Sequence, residues 1–261
     1  MSIFETSIGY NSRNAYWLSE AAKLAYASER KIQLEAQDAW NFENYQFLNG
    51  GDTQGFIIGN QRIIVIAFRG TEPSNLQDWM TDARIKLQPA FGGNVHSGFL
   101  TGLNHVWDLL VEKLNEFQSQ NQPILVTGHS LGAALATLAV ARLREMDKTV
   151  NGLYTFGSPR VGDIAFATKF NQDFEKNAFR FVNDNDVVTR VVPRSFGYKH
   201  VGNLLYFDKN GILHQELEYW QNFKKAIRGG FHLLTGDAIA DHNMDKYQNN
   251  ILGNIDTAKV A

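Results

Sequence analysis

Apolar and polar positions along this chain change period several times, and each change marks an element. Across residues 11–28, Tyr16, Leu18, Ala22, Leu24, Ala25 and Tyr26 recur at mostly helical spacing. That pattern predicts an amphipathic opening helix whose task is packing. A short strand is expected at 55–59. At 62–68 the pattern becomes the continuous run Ile63-Ile64-Val65-Ile66-Ala67-Phe68, which predicts a strand buried on both faces.

A second apolar strand at 124–127 runs into Gly128, and 131–146 behind it is rich in Ala and Leu, both strong helix formers. The same order of strand and helix returns at 152–156 with 164–174, and a strand at 178–182 then leads into a polar turn. Alternation of this kind predicts an α/β protein with a parallel sheet. Further on, 203–207 and 212–215 flank Asp208-Lys209-Asn210-Gly211 and read as a hairpin with an Asn-Gly turn. No internal repeat, low-complexity tract or Pro/Gly-rich linker interrupts the pattern, so one domain over 1–261 is expected.

Composition narrows the function classes. The hydrophobic share of 44% is enough to build a core. A net charge of -2, with no long Lys/Arg block, gives no field that could neutralise phosphates, and nucleic acid is excluded as a partner. The absence of cysteine removes disulfides, thiolate nucleophiles and cysteine-based metal sites. The first residues lack a basic segment followed by an apolar stretch, and no apolar run reaches the ~18 residues of a membrane span. The expectation is a soluble chain without a signal peptide, cytoplasmic rather than secreted.

Gly128-His129-Ser130-Leu131-Gly132 fits G-x-S-x-G and lies between a buried strand and a helix. That context makes Ser130 a candidate nucleophile on a strained turn, with Oγ exposed and the Leu131 N–H as an oxyanion donor at the helix N-terminus. A serine nucleophile needs a base, and the base an orienting acid, downstream in that order. Asn183-Asp184-Asn185-Asp186 offers two aspartates at the C-terminal end of a strand, where open α/β sheets assemble their sites. The residues alone leave the choice between Asp184 and Asp186 open. Among the histidines, His96 and His105 precede Ser130, and His129 should point away from it. His200, His214, His232 and His242 remain, with His242 first and His200 second.

Four blocks, Ala67-Phe68-Arg69-Gly70-Thr71, Val95-His96-Ser97-Gly98-Phe99, Val126 to Gly132, and Thr155 to Gly162, stand in an order that resembles the class 3 lipase family. The resemblance spans most of the chain. It implies an α/β-hydrolase fold, with a central mostly parallel sheet and helices on both faces. It also implies Ser130 as nucleophile, Asp186 as acid, His242 (followed by Tyr247) as base, and Thr71 beside Leu131 in the oxyanion hole. Asp184 then becomes a turn residue and His200 a structural one. The implied activity is hydrolysis of lipid esters, of the triacylglycerol lipase type, with phospholipase A1 and general carboxyl or feruloyl esterases sharing the triad and a non-catalytic scaffold as the reading from another class. No metal or organic cofactor and no obligate protein partner is called for.

In the family a lid follows the oxyanion residue. Here Leu76, Trp79 and Met80 fall on one helical face within a lid-like segment at 72–95. A second lid-like segment, 216–234, carries Leu217, Trp220, Phe223 and Ile227 near one stripe beside Lys224, Lys225 and Arg228. The first reads equally as a cover that turns toward a lipid–water interface on opening and as a short helix packed on the core; the second reads first as a core-packing helix, with the acyl pocket or an anionic bilayer as its alternative contact.

Overall fold

The structure, a computed structural model, describes residues 4–5, 9–72, 86–191, 196–215 and 240–255. It opens with helices α1 (Ser12–Leu24) and α2 (Glu29–Leu34), then strands β1 (Asn44–Gly50), β2 (Thr53–Gly59) and β3 (Ile64–Phe68). Strands β4 (Leu87–Ala90) and β5 (Gly93–His96) lead to helix α3 (Ser97–Phe117), and β6 (Ile124–His129) to α4 (Leu131–Glu145). Next come β7 (Val150–Phe156), β8 (Gly162–Asp163), α5 (Ile164–Phe174), β9 (Ala178–Asn183), β10 (Tyr198–Lys199), β11 (Asn203–Phe207), β12 (Leu213–His214) and α6 (Met244–Gly253).

The central sheet has eight strands in the order β1-β2-β3-β6-β7-β9-β11-β12. The pairings from β3 through β11 are parallel, while β1, β2 and β12 add antiparallel edges. Strand period explains why β3 is apolar throughout. Ile64, Ile66 and Phe68 face one core with α3, α4 and α5, whereas Val65 and Ala67 face a second core with α1 and α6. Helices on both faces of a mostly parallel sheet make this an α/β-hydrolase fold.

Local chemistry sets several boundaries. Asn11 caps α1 by accepting the Asn14 N–H at 2.9 Å, and Asp163 caps α5 by accepting the Phe166 N–H at 2.8 Å. The hairpin between β11 and β12 turns on Asp208, whose Oδ1 accepts from the N–H groups of Asn210 and Ile212, with Gly211 at φ +76°.

Strand β1 and helices α2 and α6 were not expected from the sequence, and neither were a longer helix and a second sheet. Helix α3 buries Phe99, Leu103, Val106, Leu110 and Leu114 at helical spacing, yet it starts without a break from β5 and is capped by His96. A second, four-stranded sheet runs β10-β8-β5-β4. Its β4–β5 hairpin occupies 87–96, so the described end of the 72–95 segment is sheet. Residues 73–85, with Leu76, Trp79 and Met80, and the segment 216–234 lie outside the described residues.

Candidate active site

The carboxyl ends of β3, β6, β7 and β9 come together on one edge of the sheet. Between β6 and α4, Ser130 has φ +58° and ψ -127°, a conformation that costs a non-glycine residue on the order of 1–3 kcal/mol. Its neighbours hold it there. Ser130 donates its N–H to the Phe156 carbonyl at 3.0 Å. A methyl on Gly128 would lie 2.3 Å from the Gly132 carbonyl oxygen, and one on Gly132 would lie 2.2 Å from that of Phe68. Both glycines are thus required by close backbone approach, which lets α4 begin directly beside β3. The side chain differs from expectation in one respect. Ser130 is 0% exposed, with Gly70 packed near its Cβ, so Oγ is buried rather than exposed, and no described group hydrogen-bonds it.

His242 lies just before α6 and is 4% exposed. Its Nδ1 approaches Asp186 Oδ1 at 3.0 Å and Oδ2 at 2.9 Å. A carboxylate accepts, so a proton sits on Nδ1, and in the neutral imidazole it is Nε2 that carries the lone pair. That Nε2 is also buried without a described partner. Asp186 accepts two further hydrogen bonds, from the Val188 N–H at 2.9 Å and from the Tyr247 hydroxyl at 2.6 Å. Burial pushes the Asp186 carboxyl up; the His242 charge and hydrogen bond, with the Tyr247 hydroxyl, outweigh it and hold the group below its usual range. Burial, then the Asp186 charge and hydrogen bond, raise the Tyr247 phenol well above its ordinary value. Gly157, at φ +59° after β7, leaves the space this pair occupies.

His129 turns from Ser130 to the α1 and α6 face, as strand alternation requires. There its ring stacks on that of His242, with centroids 4.3 Å apart and planes at 29°. Its Nε2 is 2.7 Å from the His242 backbone carbonyl oxygen and its Nδ1 is 2.8 Å from the Tyr26 hydroxyl. Burial, followed by the nearby His242 charge, lowers the His129 pKa to about 3. Neither contact was expected from sequence. The available signal was the period of β6, which puts Leu125, Thr127 and His129 on the face covered by α1.

The other candidates sit elsewhere. Asp184 accepts from the Tyr206 hydroxyl at 2.8 Å, a turn-stabilising contact away from the histidine. His200 Nε2 meets the Thr189 carbonyl at 2.9 Å, His214 pairs with Asp208 at 3.1 Å, and His96 accepts the Phe99 N–H at the start of α3. His105 lies against Gly51 at the β1–β2 turn, and His232 is outside the described residues. Leu131 is the first residue of α4, where an N–H has no intrahelical acceptor. Thr71 follows Gly70, whose own Cβ, if present, would be 3.0 Å from Ser130 Cβ. Arg69 pairs with Glu72 across the same turn.

A strained serine after a parallel strand, on a sheet covered by helices on both faces, defines a serine hydrolase of the α/β-hydrolase class. The chain belongs to the class 3 lipases: the profile of that family, described as lipase (class 3), matches residues 65–196, half of the sequence. It is a serine-hydrolase-type lipase that acts on lipid esters. It is 36% identical over 209 residues to a secreted mono- and diacylglycerol lipase of Penicillium cyclopium, covering 76% of this chain and 67% of that one. It is 29% identical over 181 residues to a secreted mono- and diacylglycerol lipase of Malassezia restricta, covering 63% and 60%. The solved lipase of Rhizopus microsporus var. chinensis superposes with a TM-score of 0.60 at 28% identity, covering 78% of this chain and 79% of that one.

These relatives overturn the expectation of a cytoplasmic chain, since both sequence relatives are secreted lipases. Lack of cysteine is compatible with either compartment, because many secreted proteins fold without disulfides. No described helix is long and apolar enough to cross a membrane.

Proposed function

We propose that the chain hydrolyses acylglycerol esters through an acyl-enzyme on Ser130, with His242 as base and Asp186 as its orienting carboxylate. The carrying observation is the state of His242: Nδ1 is committed to Asp186 and Nε2 is bare, buried and unpartnered among the described residues, as is Ser130 Oγ. Ser130 Oγ attacks the ester carbonyl while His242 Nε2 takes its proton. The oxyanion is met by the N–H groups of Leu131 and Thr71. His242 then returns the proton to the departing alcohol, and a water deprotonated by the same nitrogen releases the fatty acid and regenerates Ser130. Asp186 stays ionised throughout, stabilising the imidazolium.

The acylglycerol assignment leans on the Penicillium and Malassezia relatives, which are mono- and diacylglycerol lipases. Contact with a lipid surface leans on the helical spacing of Leu76, Trp79 and Met80 in the sequence alone. The test is hydrolysis of p-nitrophenyl esters from acetate to palmitate, below and above the concentration at which they form an interface. Diolein, triolein and phosphatidylcholine emulsions extend it, each with wild type and Ser130→Ala. Expected are Ser130-dependent hydrolysis of diolein or triolein and a rise in rate at the interface. Equal rates in wild type and Ser130→Ala would remove the triad reading, and release of fatty acid from phosphatidylcholine alone would favour the phospholipase reading.

A further inference from the structure

Resting on the triad just described, we propose that Tyr26 and His129 are positioning residues, a brace that fixes the backbone of His242 and ties it to the oxyanion turn. His242 is the one triad member not carried at the end of a strand. Asp186 orients its side chain, but nothing in that contact sets where its main chain sits. His129 supplies this: the His242 carbonyl oxygen can only accept, so the hydrogen on His129 is on Nε2 and is donated across 2.7 Å.

His129 Nδ1 is then a lone pair, and the Tyr26 hydroxyl donates to it at 2.8 Å. The phenolic oxygen in turn lies against the Gly70 backbone, where a methyl would come within 2.2 Å of it. Gly70 immediately precedes Thr71, and the Arg69 guanidinium stands 5.9 Å above the Tyr26 ring. One short chain of contacts therefore runs from the oxyanion turn through Tyr26 and His129 to the main chain of the base. The ring stack adds a chemical requirement. Each proton transfer makes an imidazolium on His242, 4.3 Å from the His129 ring, and a neutral, hydrogen-bonded neighbour accommodates that charge where a second cation would oppose it.

Four variants of the full chain test the brace: Tyr26→Phe, His129→Phe, the double variant and His129→Gln. Phenylalanine keeps a ring in place of His129 but loses both hydrogen bonds, while glutamine restores a donor toward the carbonyl and an acceptor toward the phenol. Each is assayed for kcat and KM on monomeric p-nitrophenyl butyrate, for the rate of fluorophosphonate labelling, and for cooperative melting. In His129→Phe, kcat and labelling rate are expected to fall about 10–100-fold, the scale of a misplaced reacting group, with KM within about twofold. His129→Gln recovers most of the loss. Tyr26→Phe loses several-fold alone and adds nothing in the His129→Phe background, because both act through one path. Wild-type kcat in folded His129→Phe, or a raised KM at constant kcat, overturns the brace. Should His129→Phe fail to fold, wild-type kcat in Tyr26→Phe overturns it instead. Labelling that survives Ser130→Ala would remove the triad itself, whereas failure of the brace alone leaves Ser130-dependent labelling intact.

Discussion

Adding one methyl group, Gly157→Ala, measures how little room the His242–Asp186 pair has. The new Cβ would lie 2.7 Å from both Cε1 and Nδ1 of His242 and 2.8 Å from Asp186 Oδ2, where ordinary contact begins at 3.4 Å. Gly157 also has φ +59°, which costs an alanine about 1–2 kcal/mol. For a chain of this size that corresponds to a fall in Tm of about 2–8 °C. The larger effect is on rate. Relief of the clash moves the imidazole by roughly 0.5–1 Å, and a displacement of that order costs up to about 100-fold when it reaches the reacting atoms. The expected outcome is kcat on p-nitrophenyl butyrate reduced about 10–100-fold with KM little changed, alongside the modest loss of Tm by circular dichroism. A variant that melts cooperatively and keeps wild-type kcat would refute the reasoning, because it would show that the base does not depend on this contact.

Three further outcomes follow from the same geometry. Ser130→Gly relieves the strain at φ +58°, so it should be inactive yet more stable than Ser130→Ala by about 1–2 kcal/mol in urea titrations; equal stabilities would show that the turn is not strained. Tyr247→Phe removes the 2.6 Å bond to Asp186, worth about 1.5–3 kcal/mol near neutral pH. Because the folded Asp186 pKa is depressed, that contribution is present above the ordinary carboxylate range and is lost as pH falls through the folded value, so a gap to wild type that fails to narrow in acid counts against it. His129 is neutral in the fold down to about pH 3, while the unfolded chain protonates it near 6.5. The unfolded state binds the extra proton in that window, so acidification costs wild type up to about 1.4 kcal/mol per pH unit from this residue. His129→Gln lacks the loss, and a pH-independent stability difference from wild type would refute a neutral His129.

What the sequence made legible were features with short-range causes. The run 63–68 and the G-x-S-x-G segment announce themselves through strand period and through glycines that a tight strand-to-helix turn requires, and α4 and α5 begin where expected. Helix α3 escaped because β5 passes into it without a loop, its cap is a histidine, and Gly98 and Gly102 dilute its first turns. Strands β8 and β10 have two residues each and exist only through their partners, so no local pattern could show them. The choice of Asp186 over Asp184 was likewise non-local: it depends on which carboxylate faces His242, 56 residues away. Tyr26 lay inside a helix read only as packing, and its contact with His129 spans 103 residues.

On the proposed mechanism, the nucleophile and the base face opposite mechanical problems. Ser130 sits at the end of a central strand, where the backbone is so constrained that a strained conformation persists: its N–H is bonded to β7, Gly70 lies against its Cβ, and the flanking Gly128 and Gly132 pack on the Gly132 and Phe68 carbonyls. Strain is tolerable there because nothing can relax. His242 has no strand beneath it and must still be placed to within a fraction of an ångström. Its position is instead assembled from separate contacts: Asp186 and Tyr247 on the carboxylate side, His129 on the main chain, and Gly157 as the space in which the ring fits. Such a base can be loosened by removing any one contact without unfolding the sheet. Substitutions around His242 are therefore expected to separate rate from stability, whereas those around Ser130 should change the two together.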